Sequence, residues 1–192
     1  MQVPPRKIMP VVHVALLRGI NVGKANRLAM ADLRELCEEL GYADARTLLN
    51  SGNLIFSAPR ADARAAARIE TEIAARLRVS SRVLVVTGRE LDTIIEENPF
   101  AECDANPSRF LVTVFAAEAN RARLEELAQR DWGAERLGVG SKAVYLWCAN
   151  GILESPAGVA VGKVLGDGGT SRNWATMKKL QALVHSSMAA RA

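Results

Sequence analysis

The order of the apolar patterns between residues 11 and 86 is the feature that most constrains the fold of this chain. Short continuous apolar runs indicate buried strands, and apolar residues spaced three or four apart indicate helices. The patterns follow as strand, helix, strand, strand, helix, strand, in the segments Val11–Leu17, 30–40, 45–50, 54–58, 69–77 and 83–86. This is the order of a split β-α-β, or ferredoxin-like, module, in which two helices cover one face of an antiparallel sheet. The other face must then be covered by the rest of the chain or by a partner.

The second half of the chain echoes this order without residue-level repetition. It predicts strand, helix, strand, strand, helix and helix, in the segments 110–116, 118–130, 135–139, 144–148, 159–165 and 174–184. Residues 101–108 contain Asp104, Asn106 and Pro107 without an apolar period, which is typical of a linker. The sequence therefore predicts an α+β protein of two ferredoxin-like halves with antiparallel sheets and helices packed on one face of each. The predicted divisions are a loose extension (1–10), a first half (11–100), a linker (101–108) and a second half (109–192).

Local signals mark the ends of several elements. Gly41 follows the first helix, at a position where a left-handed glycine commonly ends a helix. Ser51-Gly52-Asn53 is a turn signal between the two strands of a hairpin. Thr87 and Glu90 have the spacing of a capping box, which predicts a short helix that ends before Asn98-Pro99.

Composition argues against several functional classes. With 25 basic and 21 acidic residues the net charge is +4, and aromatic residues make up 5%, so the features of a nucleic-acid binder are weak. Three separated cysteines without a C-x-x-C pair, and only two histidines, predict no metal site, and we expect no cofactor. No stretch has about 20 consecutive apolar residues, and residues 1–9 lack the apolar core of a signal peptide. We therefore expect a cytoplasmic protein that does not enter a membrane, and the oligomeric state stays open.

Residues 18–27 form the first of three polar clusters that could bind a ligand. The cluster contains three cations and two amides around two glycines: Arg18, Lys24, Arg27, Asn21 and Asn26. Glycines let backbone N–H groups approach an anion, and arginine binds phosphate or carboxylate with two parallel hydrogen bonds. The spacing is neither that of a Walker loop nor G-x-G-x-x-G. The alternative is a structural loop in which Asn and Gly adopt special backbone angles and Arg18 forms an internal ion pair.

The other two clusters also have structural explanations. Ser51 and Asn53, around Gly52, fit ordinary turn chemistry. In the segment 170–174, Asn173 or Ser171 would cap the last helix. Alternatively, the start of that helix and Arg172 would together hold an anion.

Several of these motifs resemble a known family. The segment Leu16-Leu17-Arg18-Gly19-Ile20-Asn21-Val22-Gly23 is similar to the opening of the uncharacterised domain-of-unknown-function family 1697. The resemblance continues through the helix from Met30 and the Ser51-Gly52-Asn53 turn, and covers nearly the whole chain after the first ten residues. Further matching positions are Asn98-Pro99-Phe100, Tyr145-Leu146, Gly151, Arg172-Asn173-Trp174, Thr176 and Leu180. Lys24 is a departure, because the family more often has a second glycine there.

The resemblance implies two ferredoxin-like halves and brings no assigned function. The polar positions that match the family are Arg18, Asn21, Asn26, Ser51, Asn53, Arg172, Asn173 and Thr176. Together with Lys24 and Arg27 they are the candidate ligand-binding residues. Because both halves contribute them, a cleft between the halves is a natural place for a ligand.

Three functional hypotheses follow. The first is a binding or regulatory protein for an anionic, phosphate-bearing small molecule, held by the 18–27 loop and the Arg172-Asn173 helix start. The second is RNA or single-stranded nucleic-acid binding through the loop and an arginine-rich helix, in the segment 60–78. The third is an enzyme that acts on a phosphorylated substrate, although no acid–base pair or nucleophile stands out in the sequence.

Overall fold

The first half of the chain forms one four-stranded antiparallel sheet. The structure is a computed structural model and describes residues 10–22, 26–116 and 120–189. The elements of the first half are β1 (Val11–Leu17), α1 (Met30–Glu39), β2 (Ala43–Leu48), β3 (Asn53–Ala58), α2 (Ala65–Glu72), β4 (Val83–Thr87) and α3 (Gly88–Glu96). The strand order is β2-β3-β1-β4, and Val14 in β1 lies opposite Ile55 in β3 and Val86 in β4. This confirms the predicted ferredoxin-like order.

The second half forms a second sheet with the same strand order. Its elements are β5 (Phe110–Phe115), α4 (Arg121–Ala128), β6 (Arg136–Val139), β7 (Ala143–Trp147), α5 (Pro156–Leu165), β8 (Gly169–Asn173) and α6 (Trp174–Ala189). The strands follow in the order β6-β7-β5-β8. The sequence interpretation missed β8 and treated these residues as a loop before the last helix. The correction matters because β8 pairs with the central strand β5, with Arg172 opposite Val112.

Helices cover the outer face of each sheet. In the first half, Leu33 and Leu36 of α1 and Ile69 of α2 pack against Leu54 and Phe56 of β3. In the second half, α4 and α5 pack against β7 through the buried residues Leu124, Leu127, Val161, Leu165, Val144 and Leu146. Amphipathic helices bury one apolar stripe in this way, which explains the helical spacing in the sequence.

The inner faces of the two sheets share one core with the helices α3 and α6. Val14 of β1 and Val112 of β5 lie in this core with Leu91 of α3 and with Met177 and Leu180 of α6. Each of these helices follows the last strand of its half. They are therefore the covering that the sequence analysis required for the second face of each sheet.

Several local predictions can be compared with the structure. The capping box is confirmed, since the Thr87 hydroxyl accepts from the backbone N–H of Glu90 and the Glu90 carboxylate accepts from that of Thr87. β2 ends at Leu48 rather than at residue 50, because Leu49 has a left-handed φ of 58°. The segment 101–108 contains a short 3-10 helix whose buried Cys103 joins the central core. The predicted extension 1–10 lies outside the described residues, apart from residue 10.

Candidate functional site

Arg172 reaches from the second half into the first. Its side chain is buried, with only 8% of the residue exposed. Within its own strand, Nη1 donates to the Thr170 hydroxyl at 3.0 Å and to the Ser171 carbonyl oxygen at 2.8 Å. Its acceptors in the first half are the carbonyl oxygens of Leu17 (2.8 Å), Ser51 (3.1 Å) and Gly52 (3.1 Å) and Oδ1 of Asn53 (2.5 Å).

These contacts occupy the hydrogen-bonding capacity of the guanidinium. An arginine has five N–H donors, and Arg172 has six acceptors within reach. None of these acceptors is a carboxylate, so carbonyl, amide and hydroxyl dipoles compensate the charge. Burial lowers the pKa of Arg172 to about 10, which leaves the group charged at neutral pH. The geometry favours a role in joining the halves, whereas anion binding by Arg172 stays a prediction.

The turn between β2 and β3 is shaped to receive Arg172. Asn53 is fully buried, and its Nδ2 donates to the Leu48 carbonyl oxygen at 2.8 Å and to the Ser51 hydroxyl at 3.0 Å. These bonds direct Oδ1 of Asn53 toward Arg172. The turn therefore does more than reverse the chain, because it also provides three of the four first-half acceptors.

Gly52 is required at this turn for two independent reasons. Its φ of +77° lies in the left-handed region that favours glycine. A Cβ at this position would lie 2.7 Å from Cβ of Leu17 and 2.8 Å from Cδ1 of Ile20. The turn thus packs directly on the end of β1.

Arg18 makes a second connection between the halves. Its Nη1 donates to the carbonyl oxygens of Gly166 at 2.6 Å and Gly169 at 2.5 Å, and its Nε lies 4.0 Å from the Asp167 carboxylate. The predicted alternative of an internal ion pair therefore matches the geometry of Arg18. The side chain is 41% exposed, so this surface ion pair contributes little to stability.

Asn21 and Asn26 hold the first loop closed. Both have left-handed backbone angles, with φ of 56° and 50°. The backbone N–H of Asn21 donates to the Asn26 carbonyl oxygen at 2.9 Å. The Asn21 amide donates to the carbonyl oxygens of Leu28 and Asn50 and accepts from the N–H of Leu28. These two residues shape the loop, while the predicted Lys24 lies outside the described residues.

Arg27 is a cation of this loop without a partner among the described residues. It is exposed and forms no hydrogen bond or ion pair within the described ranges. It lines an open cleft of about 650 Å³ together with Asn21, Asn50, Asp32 and the start of α1. The cleft therefore brings together two of the predicted residues, Asn21 and Arg27.

The start of α1 adds unpaired backbone donors to the same cleft. The N-cap residue is Ala29, and no side chain caps the helix. By contrast, Thr87 and Ser155 cap α3 and α5. The first N–H groups of a helix have no partner within the helix, so an uncapped start favours an anion or water. Ala29 lines the cleft, which places these groups at its wall.

Asn173 and Thr176 belong to the cap of α6. Oδ1 of Asn173 accepts from the backbone N–H of Thr176 at 2.9 Å and from its hydroxyl at 2.7 Å. This is the capping role that the sequence analysis gave as one of two alternatives. The helix start therefore already has a polar partner, and the cleft at α1 does not include it.

The described residues include no cluster of metal ligands and no exposed cysteine. In the part of the chain described, no three His, Cys, Asp or Glu side chains group as metal ligands. The three cysteines are free and buried, and burial raises the pKa of each thiol, to about 12 for Cys37. A raised thiol pKa disfavours the reactive thiolate.

The arrangement of sheets and arginines does not favour nucleic-acid binding. Residues of both faces of each sheet lie in apolar cores, so the described strands present no open face for stacking bases. The predicted basic surface consists of Arg60, Arg64, Arg68, Arg76 and Arg78. Two of these cations already pair with carboxylates, Arg68 with Asp62 and Arg76 with Glu39.

Comparison with known proteins now places the chain. The profile of a family described as "Protein of unknown function (DUF1697)" matches residues 11–145. The chain belongs to the DUF1697 family. The match includes the first loop, the cleft and the β2–β3 turn, whereas Arg172 lies beyond it. No curated protein matches the sequence.

A solved structure supports the fold assigned to this DUF1697 chain. A conserved bacterial protein from Streptococcus pneumoniae is similar, with a TM-score of 0.71 and 20% sequence identity. The similarity covers 91% of this chain and 99% of that one. At this level of identity it is evidence for the fold alone. Among the described helices, none is long and apolar enough to cross a membrane.

Two parts of the cleft were missed in the sequence. Asn50 was placed at the end of a strand, and only the three-dimensional turn brings it beside Asn21. The uncapped helix start had a sequence signal, because Leu28-Ala29 precedes Met30 where Ser, Thr, Asp or Asn would be typical.

Proposed function

We propose that this protein binds an anionic, phosphate-bearing small molecule in the cleft at the start of α1, as a binding or regulatory protein. One observation carries the proposal: Arg27, which has no partner among the described residues, shares this polar cleft with the uncapped start of α1. Guanidinium groups and helix N-termini both bind phosphate in proteins. Lys24, three residues before Arg27 in the sequence, is a further cation of the same loop.

The Asn21 network supports a preformed site. The amide of Asn21 connects the loop at Leu28 to the turn at Asn50 through three hydrogen bonds of 2.8–2.9 Å. These bonds hold Asn21 in place before a ligand arrives, so fixing this residue costs no binding free energy. In this proposal Asn21 and Asn26 position the loop, while Arg27 and the backbone of α1 contact the ligand.

Asp32 sets a limit on the charge that the cleft accepts. Its carboxylate lies in the first turn of α1 and lines the same cleft. It offsets one positive charge, because a phosphate group is attracted by Arg27 and repelled by Asp32. The two residues therefore provide opposite and separable tests of the same site.

The expected location in the cytoplasm is part of the proposal. The three cysteines are unpaired, and small proteins of oxidising compartments commonly pair them. Fractionation of the source cells would test this part separately from ligand binding.

Calorimetric titration and thermal shift with inorganic phosphate, ADP, glucose 6-phosphate and a short single-stranded RNA test the proposal. A ligand at about 100 times its Kd stabilises a protein by roughly 2.7 kcal/mol, which at this chain length raises Tm by about 5–10 °C. We expect such a shift with at least one small phosphate compound. Arg27→Ala should weaken binding by about tenfold, and Asp32→Asn should strengthen it by about two- to threefold.

Arg123→Ala provides a matched control, because Arg123 is an exposed arginine on α4 in the other half. It changes the net charge as Arg27→Ala does and should leave the Kd unchanged. Equal binding by the wild type and Arg27→Ala would refute the proposed site. Binding of RNA alone, with a steep loss at high salt, would instead support the nucleic-acid hypothesis.

A further inference from the structure

A second cavity lies at the other end of α1, and none of the ten candidate ligand-binding residues lines it, although Arg60 and Arg68 of the predicted basic surface do. Its volume is about 580 Å³, in the range of small-molecule sites. Most of the wall is apolar and comes from Leu40, Ala58, Pro59 and Ala61. Tyr42, Arg60, Asp62 and Arg68 provide the polar part. A cavity with an apolar wall and a few converging polar groups is suited to an amphipathic ligand.

Arg68 is held in place before any ligand arrives. Its Nη2 donates to the Leu40 carbonyl oxygen at 2.8 Å, and its Nη1 donates to the Tyr42 hydroxyl at 3.1 Å and the Asp62 carboxylate at 3.4 Å. The guanidinium also lies over the Tyr42 ring, 5.1 Å from its centroid. These three hydrogen bonds use three of its five N–H groups, so two remain for a ligand.

The negative charge of Asp62 is already compensated within the cavity wall. Its carboxylate accepts from the Tyr42 hydroxyl at 2.7 Å and from the backbone N–H of Arg64 at 2.9 Å. Burial and the hydrogen bond to Asp62 raise the pKa of Tyr42 to about 12, so the Tyr42 hydroxyl keeps its proton and remains a donor. The backbone N–H of Asp62 donates to Nε2 of the buried His13 at 3.3 Å, which ties the loop before α2 to β1.

Arg60 provides a second cation at the same cavity. It is exposed and has no hydrogen bond or ion pair to any residue that the structure describes. With Arg68 and Asp62, the lining residues carry a net charge of +1. A ligand here therefore needs an anionic group for the two arginines and an apolar body for the remaining wall.

We propose that this cavity binds a small carboxylic acid with an apolar, ring-sized body. The carboxylate lies between Arg60 and the free N–H groups of Arg68, and the ring lies on Leu40, Ala58 and Pro59. This site differs from the cleft at Arg27, which is polar and lies at the opposite end of α1. The two sites can therefore be tested independently, and the failure of one leaves the other in place.

Titration of the 15N-labelled full chain with naphthalene-2-carboxylate, followed by amide chemical shifts, tests the proposal. We expect saturable shifts at Tyr42, Ala61 and Asp62. Naphthalene-2-carboxamide, which has the same ring without charge, should bind at least tenfold more weakly, because charge-assisted hydrogen bonds are lost. Inorganic phosphate, which lacks the apolar body, should not shift these amides.

Arg60→Ala is the informative variant, because Arg60 has no described partner and its removal should leave the fold intact. It should weaken naphthalene-2-carboxylate binding by about tenfold, whereas Arg123→Ala should leave the Kd unchanged. Equal binding of the acid and the amide, an unchanged Kd in Arg60→Ala, shifts centred elsewhere, or no shifts at all would each overturn the proposal.

Discussion

Replacement of Arg172 by methionine is the sharpest test of how the two halves are joined. Methionine keeps a long unbranched side chain but removes all donors. The Gly52 carbonyl oxygen would keep one donor, the backbone N–H of Leu17 at 2.8 Å. The carbonyl oxygens of Leu17 and Ser51 and Oδ1 of Asn53 would lose the hydrogen bonds that Arg172 now provides.

The expected cost follows from these three acceptors. A buried acceptor that loses its donor costs roughly 1 kcal/mol at the low end of the observed range, which gives about 3 kcal/mol in total. At this chain length each kcal/mol lowers Tm by about 2–4 °C, so Arg172→Met should melt about 6–12 °C below the wild type. Arg172→Lys should recover little of this, because an ammonium group cannot reach acceptors on several sides.

Urea unfolding and thermal melts followed by circular dichroism would measure the change. Arg123→Met, on the exposed surface of α4, should change stability by no more than about 0.5 kcal/mol. A double-mutant cycle with Asn53→Ala should show non-additive losses, because the two side chains share a hydrogen bond of 2.5 Å. If Arg172→Met lowers Tm by less than about 2 °C and the losses in the cycle are additive, this account of the junction is refuted.

Two further predictions concern the first half. Gly52→Ala should lower the free energy of unfolding by about 2–4 kcal/mol, because the new Cβ would lie 2.7 Å from Leu17 and alanine is strained at a left-handed φ. Gly133 also has a positive φ but lies in open space, so Gly133→Ala should show the cost of the backbone strain alone. Urea midpoints of the two variants would compare these costs, and equal losses would contradict the packing argument. Burial lowers the pKa of His13 in the folded protein below the usual histidine value of about 6.5. Near that pH the unfolded state therefore binds more protons than the folded state. The free energy of unfolding should then fall as the pH decreases from about 7 to 5. A His13→Gln variant should lose this pH dependence in urea titrations, and retention of the full dependence would exclude His13 as its source.

The sequence predicted the first sheet well because each of its elements has a strong local signal. β1 is buried along nearly its whole length and has a continuous apolar run, and the capping box at Thr87 marks the start of α3. In β8 the local sequence predicts a loop rather than a strand. Its sequence, Gly-Thr-Ser-Arg-Asn, is typical of a loop, and its strand conformation comes from pairing with β5. Tertiary context overrides local propensity at such a position.

The roles of the candidate polar residues were harder to predict than the fold. Composition alone presents Arg18, Arg27 and Arg172 as equivalent cations. In the structure Arg172 is buried among backbone acceptors from distant turns, Arg18 is shared with the 166–169 segment, and only Arg27 has no described partner. Which carbonyl oxygens need a donor depends on contacts more than 100 residues apart along the chain, such as Arg172 with Asn53. No local pattern contains that information.

The two halves repeat the same local arrangement with different chemistry. Tyr42, directly before β2, donates to Asp62 in the loop that precedes α2. Glu135, directly before β6, accepts from the N-cap residue Ser155 of α5. Each pair joins the residue before the second strand of its half to the segment that leads into the second helix of that half, and the residues differ between the halves.

At the position of Arg172 the two sheets have side chains of very different chemistry. The strand registers place Val86 opposite Val14 in the first sheet and Arg172 opposite Val112 in the second. Val86 completes the central core, whereas Arg172 uses the equivalent position to bind the end of β1. Arg172 thus connects the second half to the point where the first loop begins, and Arg18 of that loop donates in return to the carbonyl oxygens of Gly166 and Gly169. Because that loop carries Arg27, we expect the ligand site proposed at the start of α1 to depend on a strand that lies outside its own half.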